Sequence, residues 1–388
     1  MRQEAYVWQR TWTPALQESV RQARDFASLI VLAAEVDFPD EGPRVIRIPL
    51  DATLKSPHRP VGAALRVGAF SGLFEQRSDL VRLLETLIRD VAAEAKRKGI
   101  RLSEIQIDYD CPESKLADYR DALPSLRRAA APVPLTITAL PAWVQRRRPF
   151  RTLIAETDGY VLQLHSLVLP RGPDEQITMI EASSARVWVE GAARFGRPFR
   201  AALPTHGYTA AIDHRGELVG LLGDTPLSSW APGVTVRTVR SDPQAMAGLI
   251  RSWVQDRPAE LAGVIWFRLP VAGERLNWPW PTLRAVMTGR APQAAVRLLQ
   301  REPEPGLVEI DLLNAGEAAV PWPTTVRIRW RGGAPIAADG LAVYRVVPVR
   351  AGEIRLEGSG AGLLRPGERR PIAWLRFAAR KEVEVDLP

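Results

Sequence analysis

Short apolar runs rich in β-branched and aromatic residues alternate with amphipathic helical stretches along the first three quarters of the chain. This alternation is typical of a parallel sheet whose strands are connected by helices. Eight such runs are present, and this number favours a closed α/β barrel, because open doubly wound sheets more often have about five to seven strands. The predicted strands are Ala5 to Arg10, Ser28 to Asp37, Val61 to Phe70, Glu104 to Asp110, Pro134 to Pro141, Gly159 to Leu167, Phe199 to Tyr208 and Gly263 to Pro270.

The stretch between the third and fourth predicted strands carries the clearest helix signals. Ser78 is suited to cap the N-terminus of a helix, and Gly99 is suited to end it. Apolar residues from Leu80 to Val91 recur at helical spacing and would lie on one face. The sequence therefore predicts a helix over 78–98 that packs against the barrel.

Other connections depart from an ideal barrel. A helix predicted from Glu113 to Arg128 is interrupted by Pro124. No helix follows the second strand, where a Pro-rich stretch contains an extra strand from Val45 to Leu50. A hairpin is predicted from Thr209 to Leu222, after the seventh strand.

The helical period disappears beyond about Arg290, and short alternating runs separated by Gly, Pro, Asn and Glu follow. This pattern predicts a small all-β sandwich of immunoglobulin or fibronectin type. The predicted domains are therefore a TIM barrel over 1–291 and a C-terminal β-sandwich over 292–388. No cluster of aromatic residues in the second domain suggests a sugar-binding platform, so a packing or spacer role is favoured there.

Length and composition agree with two globular domains. The chain has 388 residues, of which 46% are hydrophobic and 25% charged, and a barrel of about 250 residues leaves room for one module of about 100. The formal net charge is +8. The densest run of basic residues, Arg146 to Arg148, lies in a predicted loop. No predicted helix carries a basic stripe with interleaved aromatic residues, as binding to a nucleic-acid backbone would require. We therefore predict no nucleic-acid partner and interpret the charge as solvated surface, with a weak preference for a nearby polyanion or acidic envelope.

Several functional classes lack their sequence signatures. Cys111 is the only cysteine, so neither a disulfide nor a cysteine metal site is expected. The chain has no G-x-S-x-G elbow, no P-loop, no dinucleotide-binding turn and no histidine pair at metal spacing, so no metal or other cofactor is predicted. No apolar run reaches the length of a membrane span, and the N-terminus lacks a signal peptide. The chain is then either cytoplasmic or exported with its signal removed; its oligomeric state stays open.

The fourth predicted strand carries the most informative polar residues. Strand alternation directs Gln106, Asp108 and Asp110 into the lumen and the isoleucines between them outward. The two aspartates lie one pleat apart at the C-terminal end, where barrel enzymes keep their chemistry. Like charges raise the pKa of one carboxyl, and a carboxyl protonated near neutrality can serve as a general acid. Asp110 is the candidate acid and Asp108 the charge that tunes it.

The alternative interpretation is structural. Both aspartates would then balance arginines of the lumen, for which Arg66 and Arg268 are the candidates. Glu35, on the second strand, is the only other carboxylate placed for nucleophilic attack, and it has the alternative role of an ion-pair partner of Arg10.

Other strands add polar and aromatic groups at a similar height. These groups are Gln163 and His165 on the sixth strand and Trp266 on the eighth. An indole beside carboxylates, amides and a histidine suits sugar binding, because C–H faces stack on the ring and hydroxyls take hydrogen bonds. Taken singly, His165 and Trp266 are equally compatible with core packing.

Four segments resemble the bacterial barrel family DUF3142. They are Tyr6-Val7-Trp8-Gln9-Arg10, Gln106-Ile107-Asp108-Tyr109-Asp110, Thr138-Ala139-Leu140-Pro141-Ala142-Trp143 and Leu162-Gln163-Leu164-His165. The resemblance implies a glycosidase-like barrel and supplies no activity. It completes the set of predicted substrate-binding residues: Trp8, Gln9, Arg10, Gln106, Trp143, Gln163, His165, Trp266 and Arg268.

A more distant resemblance concerns chemistry. The run from Ile107 to Pro112 is similar to the strand-four signature Ile-Asp-Trp-Glu-Tyr-Pro of the chitinase-type (family eighteen) glycoside hydrolases. That alignment implies that Asp110 stands where the family has its catalytic glutamic acid. It likewise implies that Asp108 matches the aspartate that supports the substrate's acetamido group, and that Trp266 matches the tryptophan under the cleaved sugar. Aspartate is one methylene shorter than glutamate.

Two functional hypotheses follow, both with carbohydrate as the partner. The first is a glycoside hydrolase that acts on a bacterial envelope or exported polysaccharide; the second is a non-catalytic glycan-binding or scaffold protein on a degenerate barrel. For the first, Asp108 and Asp110 on one strand would lie on the same side of a bound ring. Double displacement and inversion need groups on opposite faces, so a substrate-assisted route through an N-acetyl group is expected.

Overall fold

The computed structural model describes residues 1–39, 42–70, 78–164, 179–223, 230, 232–360 and 362–387. The chain divides into two compact units, Met1–Trp278 and Pro279–Pro388. The boundary expected after residue 291 corresponds to the change from helical to alternating periodicity, and it stays a prediction.

The first unit is built on a closed barrel of eight parallel strands, which confirms the predicted fold class. Its strands, in the order in which each pairs with the next around the barrel, are β1 (Arg2–Val7), β2 (Ser28–Asp37), β4 (Val61–Val67), β5 (Leu102–Tyr109), β6 (Leu135–Ala139), β7 (Gly159–Gln163), β8 (Phe199–Pro204) and β12 (Leu261–Phe267). Pairing between β12 and β1 closes the ring. The predicted extra strand is present as β3 (Arg44–Arg47), which pairs antiparallel with β2.

Helices separate most of the barrel strands. They are α1 (Pro14–Gln22), α2 (Asp79–Lys98), α3 (Leu116–Ala130), α4 (Pro141–Gln145), α5 (Arg147–Ala155), α6 (Ala182–Ala193) and α7 (Pro243–Gln255). The Ser78 hydroxyl accepts the Val81 N–H at the start of α2, and Gly99 ends it in the left-handed region at φ 64°. Pro124 lies inside α3, so the predicted interruption there is wrong. No described helix is both long and apolar enough to cross a membrane.

A three-stranded antiparallel sheet is inserted between β8 and α7. Its strands are β9 (Gly207–Ile212), β10 (Leu218–Leu222) and β11 (Thr235–Arg240), with β9 in the middle. The predicted hairpin corresponds to β9 and β10, and β11 was not predicted. Because only two residues separate the end of β8 from the start of β9, the insertion starts at the C-terminal mouth of the barrel.

Side chains that point into the barrel form layers. An apolar layer consists of Tyr6, Ile30, Ala64, Val161, Ala202 and Ile265. Below it, toward the N-terminal ends of the strands, lies a charged layer of Glu4, Glu104 and Arg200. Above it the lumen opens into a cleft. These apolar side chains therefore lie between the charged layer and the cleft.

The second unit begins with α8 (Trp280–Met287) and continues as antiparallel sheets. One four-stranded sheet has the order β13 (Val296–Glu304), β14 (Leu307–Asn314), β21 (Arg369–Arg376), β17 (Ala337–Gly340). The other has the order β18 (Tyr344–Arg350), β19 (Glu353–Gly358), β16 (Thr325–Trp330), β22 (Val383–Asp386), and β15 (Val320–Pro321) pairs with β20 (Leu363–Leu364). Ile310 and Leu375 of the first sheet and Ile328 and Leu356 of the second belong to one buried cluster. The all-β character is confirmed; the immunoglobulin type stays a prediction.

Candidate active site

A cleft of about 380 Å³ lies at the C-terminal mouth of the barrel. It is lined by residues from the ends of several strands and from the inserted sheet: Tyr6, Trp8, Arg66, Asp108, Asp110, Gln163, His206, Gly207, Tyr208, Gly223, Phe267 and Arg268. A separate groove of about 310 Å³ lies on the outside of the barrel beside α4, α5 and α6. Only the first combines carboxyl groups, aromatic rings and guanidinium groups in the position that barrel enzymes use.

Asp108 is fixed inside the cleft by one of its oxygens. The Thr138 hydroxyl and the Gln163 amide both donate to Asp108 Oδ1, each at 2.8 Å. Burial and the nearby Asp110 charge raise the pKa of Asp108 to about 6, against the opposing effects of the Thr138 hydrogen bond, the Arg66 charge and the Gln163 hydrogen bond. The carboxyl therefore exchanges its proton only slightly below neutrality, while its second oxygen accepts no hydrogen bond from the described residues.

Asp110 lies one residue beyond the end of β5 and is open to solvent at the cleft. Partial desolvation by the surrounding protein nevertheless raises its pKa, and the positive charge of Arg66 opposes the rise. Within the described part of the chain the Asp110 carboxyl makes neither a hydrogen bond nor an ion pair. It is the cleft carboxyl that is free to approach a ligand.

The floor of the cleft is a buried hydrogen-bond chain. The Tyr6 phenol donates to Gln106 Oε1 at 2.6 Å, and the Gln106 amide donates to the Thr136 hydroxyl at 3.4 Å. Burial raises the pKa of Tyr6 well above its ordinary value, so the phenol keeps its proton. Gln106 is thus inside the lumen, as predicted, but it supports the floor and does not line the cleft.

Aromatic rings form one wall. Phe267 packs edge to face against Trp8 and His206, with centroids 5.3 and 4.9 Å apart, and His206 packs against Tyr208 at 4.7 Å. Gly207 permits this arrangement, because a Cβ there would lie 2.2 Å from the Val239 carbonyl oxygen. The result is an apolar surface in the same cleft as the carboxyl groups.

Two arginines reach the cleft, each held by a glutamate. Arg66 Nη1 donates to Glu35 Oε1 at 2.9 Å, and Arg10 binds the other oxygen of Glu35. Arg268 Nη2 lies 2.7 Å from Glu274 Oε1. Burial opposes ionisation of Glu35, yet the hydrogen bonds and charges of Arg10 and Arg66 outweigh it and hold the Glu35 pKa below its ordinary value.

Several predicted site residues lie elsewhere. Glu35 does not line the cleft and is the ion-pair partner of Arg10 and Arg66, as the alternative interpretation held; a carboxylate bound in this way is a poor nucleophile. Arg10 itself is exposed and does not line the cleft. The Gln9 amide donates to Glu274 at 3.0 Å, so it supports the partner of Arg268.

Two of the three tryptophans predicted for the site, Trp143 and Trp266, do not line the cleft. Trp266 is fully buried outside the lumen and donates from its indole to Gln3, because the inward residues of β12 are Ile265 and Phe267. Trp143 is also fully buried and donates to the Cys111 carbonyl at 3.1 Å, where it supports the turn after β5. The prediction that Trp266 lies under the cleaved sugar is therefore wrong, and so is the prediction that Trp143 binds substrate.

His165 lies outside the described residues. Trp8, Gln163, Asp108, Asp110 and Arg268 do meet in the cleft. Tyr6, Tyr208 and Phe267 also line the cleft and were not among the predicted site residues. The signal for Tyr208 was its position in His206-Gly207-Tyr208, just beyond a barrel strand at the mouth. Among the described residues no group of three or more His, Cys, Asp or Glu side chains is arranged to hold a metal ion.

Comparison with known families gives two matches. The family model of a domain of unknown function, DUF3142, matches residues 58–272, which is more than half of the chain. The chain belongs to the DUF3142 family. The DUF3142 match includes β5, with both cleft aspartates. A second model, a domain of unknown function named DUF8456, matches residues 297–378 of the second unit.

The chain is also similar to solved structures. It resembles chitinase ChiA74 from Bacillus thuringiensis, with 9% identity, coverage of 99% of this chain and 100% of that one, and a TM-score of 0.44. The spore cortex-lytic enzyme SleL of Bacillus cereus is 11% identical, with coverage of 75% of this chain and 74% of that one and a TM-score of 0.48. A family GH18 chitinase from Chromobacterium violaceum is 12% identical, with coverage of 100% of this chain and 90% of that one and a TM-score of 0.39. No curated protein matches the sequence. Function in this DUF3142 barrel must therefore be argued from its own cleft.

Proposed function

We propose that this chain is a glycoside hydrolase that acts on a bacterial envelope or exported polysaccharide, with Asp110 as the general acid. The observation that carries the proposal is that two carboxyls with raised pKa values share one aromatic-walled cleft at the C-terminal mouth of a TIM barrel. Carboxyls kept protonated near neutrality are what acid-catalysed cleavage of a glycosidic bond requires.

The two aspartates are suited to different roles. Asp108 is held through Oδ1 by Thr138 and Gln163, so its orientation is fixed and its other oxygen is directed by that contact. Asp110 has no such restraint among the described residues and can follow the leaving oxygen of a substrate. We therefore assign proton transfer to Asp110 and substrate positioning to Asp108.

The proposed reaction uses the substrate's own nucleophile. Asp110 gives its proton to the glycosidic oxygen, the bond from that oxygen to the anomeric carbon breaks, and the acetamido carbonyl oxygen of the sugar bonds to the anomeric carbon. Asp108 stabilises the positive charge that develops on the acetamido nitrogen. Water then bonds to the anomeric carbon as the bond from that carbon to the acetamido oxygen breaks, which regenerates the amide. The water gives a proton to Asp110, which restores the acid, and the hydrolysed sugar is released. Glu35 is not needed as a nucleophile.

The aromatic wall suits the apolar face of a pyranose ring. Trp8 and Phe267 present ring surface beside the carboxyls, and sugar C–H groups pack on such surfaces while hydroxyls are bound by polar groups at the edges. The cleft volume of about 380 Å³ admits a short segment of a chain, so the remainder of a polysaccharide would extend beyond the mouth.

The test compares Asp110→Asn and Asp108→Asn with wild type on N-acetylated and deacetylated oligosaccharides. Loss of about two or more orders of magnitude in kcat/KM in both variants, on acetylated substrates only, is expected. Asp90→Asn, which removes an exposed carboxylate of α2, is the matched control and retains full activity. Equal turnover of deacetylated substrates would overturn the assisted mechanism.

A second candidate is a glycan-binding protein without activity. It is favoured by the short aspartate at position 110, whose carboxyl no described residue positions for proton transfer. Saturable binding of an oligosaccharide by the wild-type chain, without turnover under any pH between about 4 and 8, would assign this function instead.

A further inference from the structure

The cleft has a cationic side as well as an acidic one. Arg66, from β4, lines it with 45% of its side chain exposed, and Arg268, just after β12, lines it with 21% exposed. The two strands lie on different sides of the barrel, since β5, β6, β7 and β8 separate them in one direction and β2 and β1 in the other. The guanidinium groups therefore approach the mouth from different sides.

Arg66 is anchored but not saturated. A guanidinium has five N–H donors, and within the described residues Arg66 uses one of its terminal nitrogens, Nη1, in the pair with Glu35. Arg66 is the register partner of Asp108 on the neighbouring strand, yet it forms no ion pair within 4.0 Å with Asp108 or Asp110 among the described contacts. The anchoring glutamate holds one edge of the guanidinium, and the rest is available to a ligand.

Tyr208 lines the same cleft as the two arginines. Burial raises the pKa of this phenol, and the charges of Arg268 and Arg66 both act against the rise. The protonated phenol is a further donor. Three donor side chains thus line the one cleft, two of them cationic.

This arrangement suits an anion better than a hydroxyl. Charge-assisted hydrogen bonds from arginine are roughly twice as strong as neutral ones, and the planar guanidinium matches an oxyanion through two parallel bonds. A neutral sugar hydroxyl would engage one donor and leave the rest without a ligand partner. The net charge of +8 on the whole chain also attracts an anionic polymer.

We propose that the cleft takes an anionic glycan, in which a singly charged oxyanion, a carboxylate or a sulfate ester, binds between Arg66 and Arg268 beside the Tyr208 hydroxyl. This inference rests on the proposed carbohydrate function and narrows its substrate class. A singly charged group is specified because Asp108 and Asp110 share the cleft and disfavour a dianion such as a phosphate monoester.

Binding of matched oligosaccharides to the full chain tests the proposal. The first pair of probes is an oligosaccharide of alternating N-acetylglucosamine and glucuronic acid, and the same compound with its carboxylates reduced to alcohols. The second pair is an N-acetylated oligosaccharide that carries sulfate esters, and the same oligosaccharide without them. We expect at least one acidic form to bind about tenfold or more tightly than its neutral partner at low salt, with the preference falling as salt rises. The arm with the larger preference identifies the oxyanion.

Variants assign the preference to the guanidinium. Arg66→Gln should bring the affinities for the acidic and neutral partners to within about twofold, whereas Arg128→Gln, which removes an exposed arginine of α3, should leave the preference unchanged. Arg66→Lys keeps the positive charge that pairs with Glu35 but lacks the further N–H donors of the guanidinium. The variant should therefore fold normally and lose most of the preference for the acidic oligosaccharide.

Failure of this inference and failure of the proposed function give different results. Equal binding of acidic and neutral partners, or an undiminished preference in Arg66→Gln, overturns the anionic substrate and leaves a carbohydrate site. Binding of no oligosaccharide in any arm overturns the carbohydrate function itself.

Discussion

Glu104 and Asp108 lie on the same strand and point into the same lumen, but the protein shifts their pKa values in opposite directions. Arg200 pairs with Glu104, with Nη1 at 2.6 Å from Oε1, and also with Glu4 at 2.7 Å. Burial opposes ionisation of Glu104, but the charge and hydrogen bond of Arg200 outweigh it and hold the Glu104 pKa below its ordinary value. One pleat beyond Gln106, the pKa of Asp108 is raised to about 6.

The difference shows that burial alone does not set the state of a lumen carboxyl. Glu104 is 6% exposed and charged because a cation is in contact with it. Asp108 lacks a contacting cation among the described residues and has Asp110 as a neighbour, so its charged form is disfavoured. The lower lumen thus holds a neutralised structural cluster, and the upper lumen holds carboxyls whose pKa values are raised.

Replacement of Arg200, the cation that pairs with both Glu4 and Glu104, should have the largest effect on the free energy of unfolding. Arg200→Met would leave the almost wholly buried Glu104 without a contacting cation, and Glu4 with only the half-exposed Arg2. Breaking a buried ion pair in this way costs about 3–5 kcal/mol. Urea denaturation at pH 7 should therefore show a lower free energy of unfolding by about that amount, while Arg128→Met serves as the exposed control.

A combined variant separates charge from packing. If the loss comes from unpaired charge, Arg200→Met with Glu4→Gln and Glu104→Gln should recover most of the stability, because no buried charge remains. A loss below about 1 kcal/mol in Arg200→Met alone would contradict the assignment of this layer as a structural ion cluster.

Asp108→Asn should stabilise the fold at neutral and alkaline pH. The Asp108 pKa is higher in the folded chain than in the unfolded one, so the folded state binds the proton more tightly. Wild-type stability from this group is present below pH 4 and is lost as pH rises through about 6. Asparagine has no charge to lose and keeps an oxygen to accept from Thr138 and Gln163. The variant should exceed wild type by about 2 kcal/mol at pH 8 and equal it near pH 3.5.

Denaturation curves at several pH values measure this difference. Asp90→Asn is the control, since it removes one carboxylate from an exposed helix face and should give no comparable gain. A pH-independent difference between Asp108→Asn and wild type would mean that the carboxyl is not desolvated in the cleft.

Sequence reasoning succeeded for β5 and failed for β12, for one physical reason. On β5 the polar residues Gln106 and Asp108 alternate with isoleucines, so the inward face is marked by polarity. On β12 the residues Ile265, Trp266 and Phe267 are apolar on both faces, because a parallel barrel strand is covered by helices outside and by the lumen layer inside. Periodicity cannot then choose the face, and Trp266 was given the place of Phe267.

The remaining parts of the cleft come from long-range geometry. Trp8 and Phe267 are 259 residues apart in the chain and meet only because β12 pairs with β1. The inserted sheet brings Tyr208 to the same cleft, a placement that depends on the close approach of β9 and β11 at Gly207. Strand types and helix caps are local and were predictable; which of the arginines meet glutamates, and which reach the cleft, depends on pairing register.

Loss of a single hydrogen bond to Asp108 should have the smallest effect on stability. It should raise the Asp108 pKa further and so increase its difference from Glu104. Thr138→Val removes a donor to the charged form of Asp108 while it keeps the shape of the side chain. The charged form loses about 1 kcal/mol of stabilisation, so the carboxyl should titrate above about 6. The measurement is the pH dependence of the difference in unfolding free energy between Thr138→Val and the double variant Thr138→Val with Asp108→Asn, which isolates the contribution of Asp108.

Thr152→Val, at an exposed position of α5, is the matched control for this measurement. A midpoint unchanged or lower than in the wild-type background would show that this hydrogen bond does not oppose the raised pKa, and the state of Asp108 would then depend on burial and Asp110 alone.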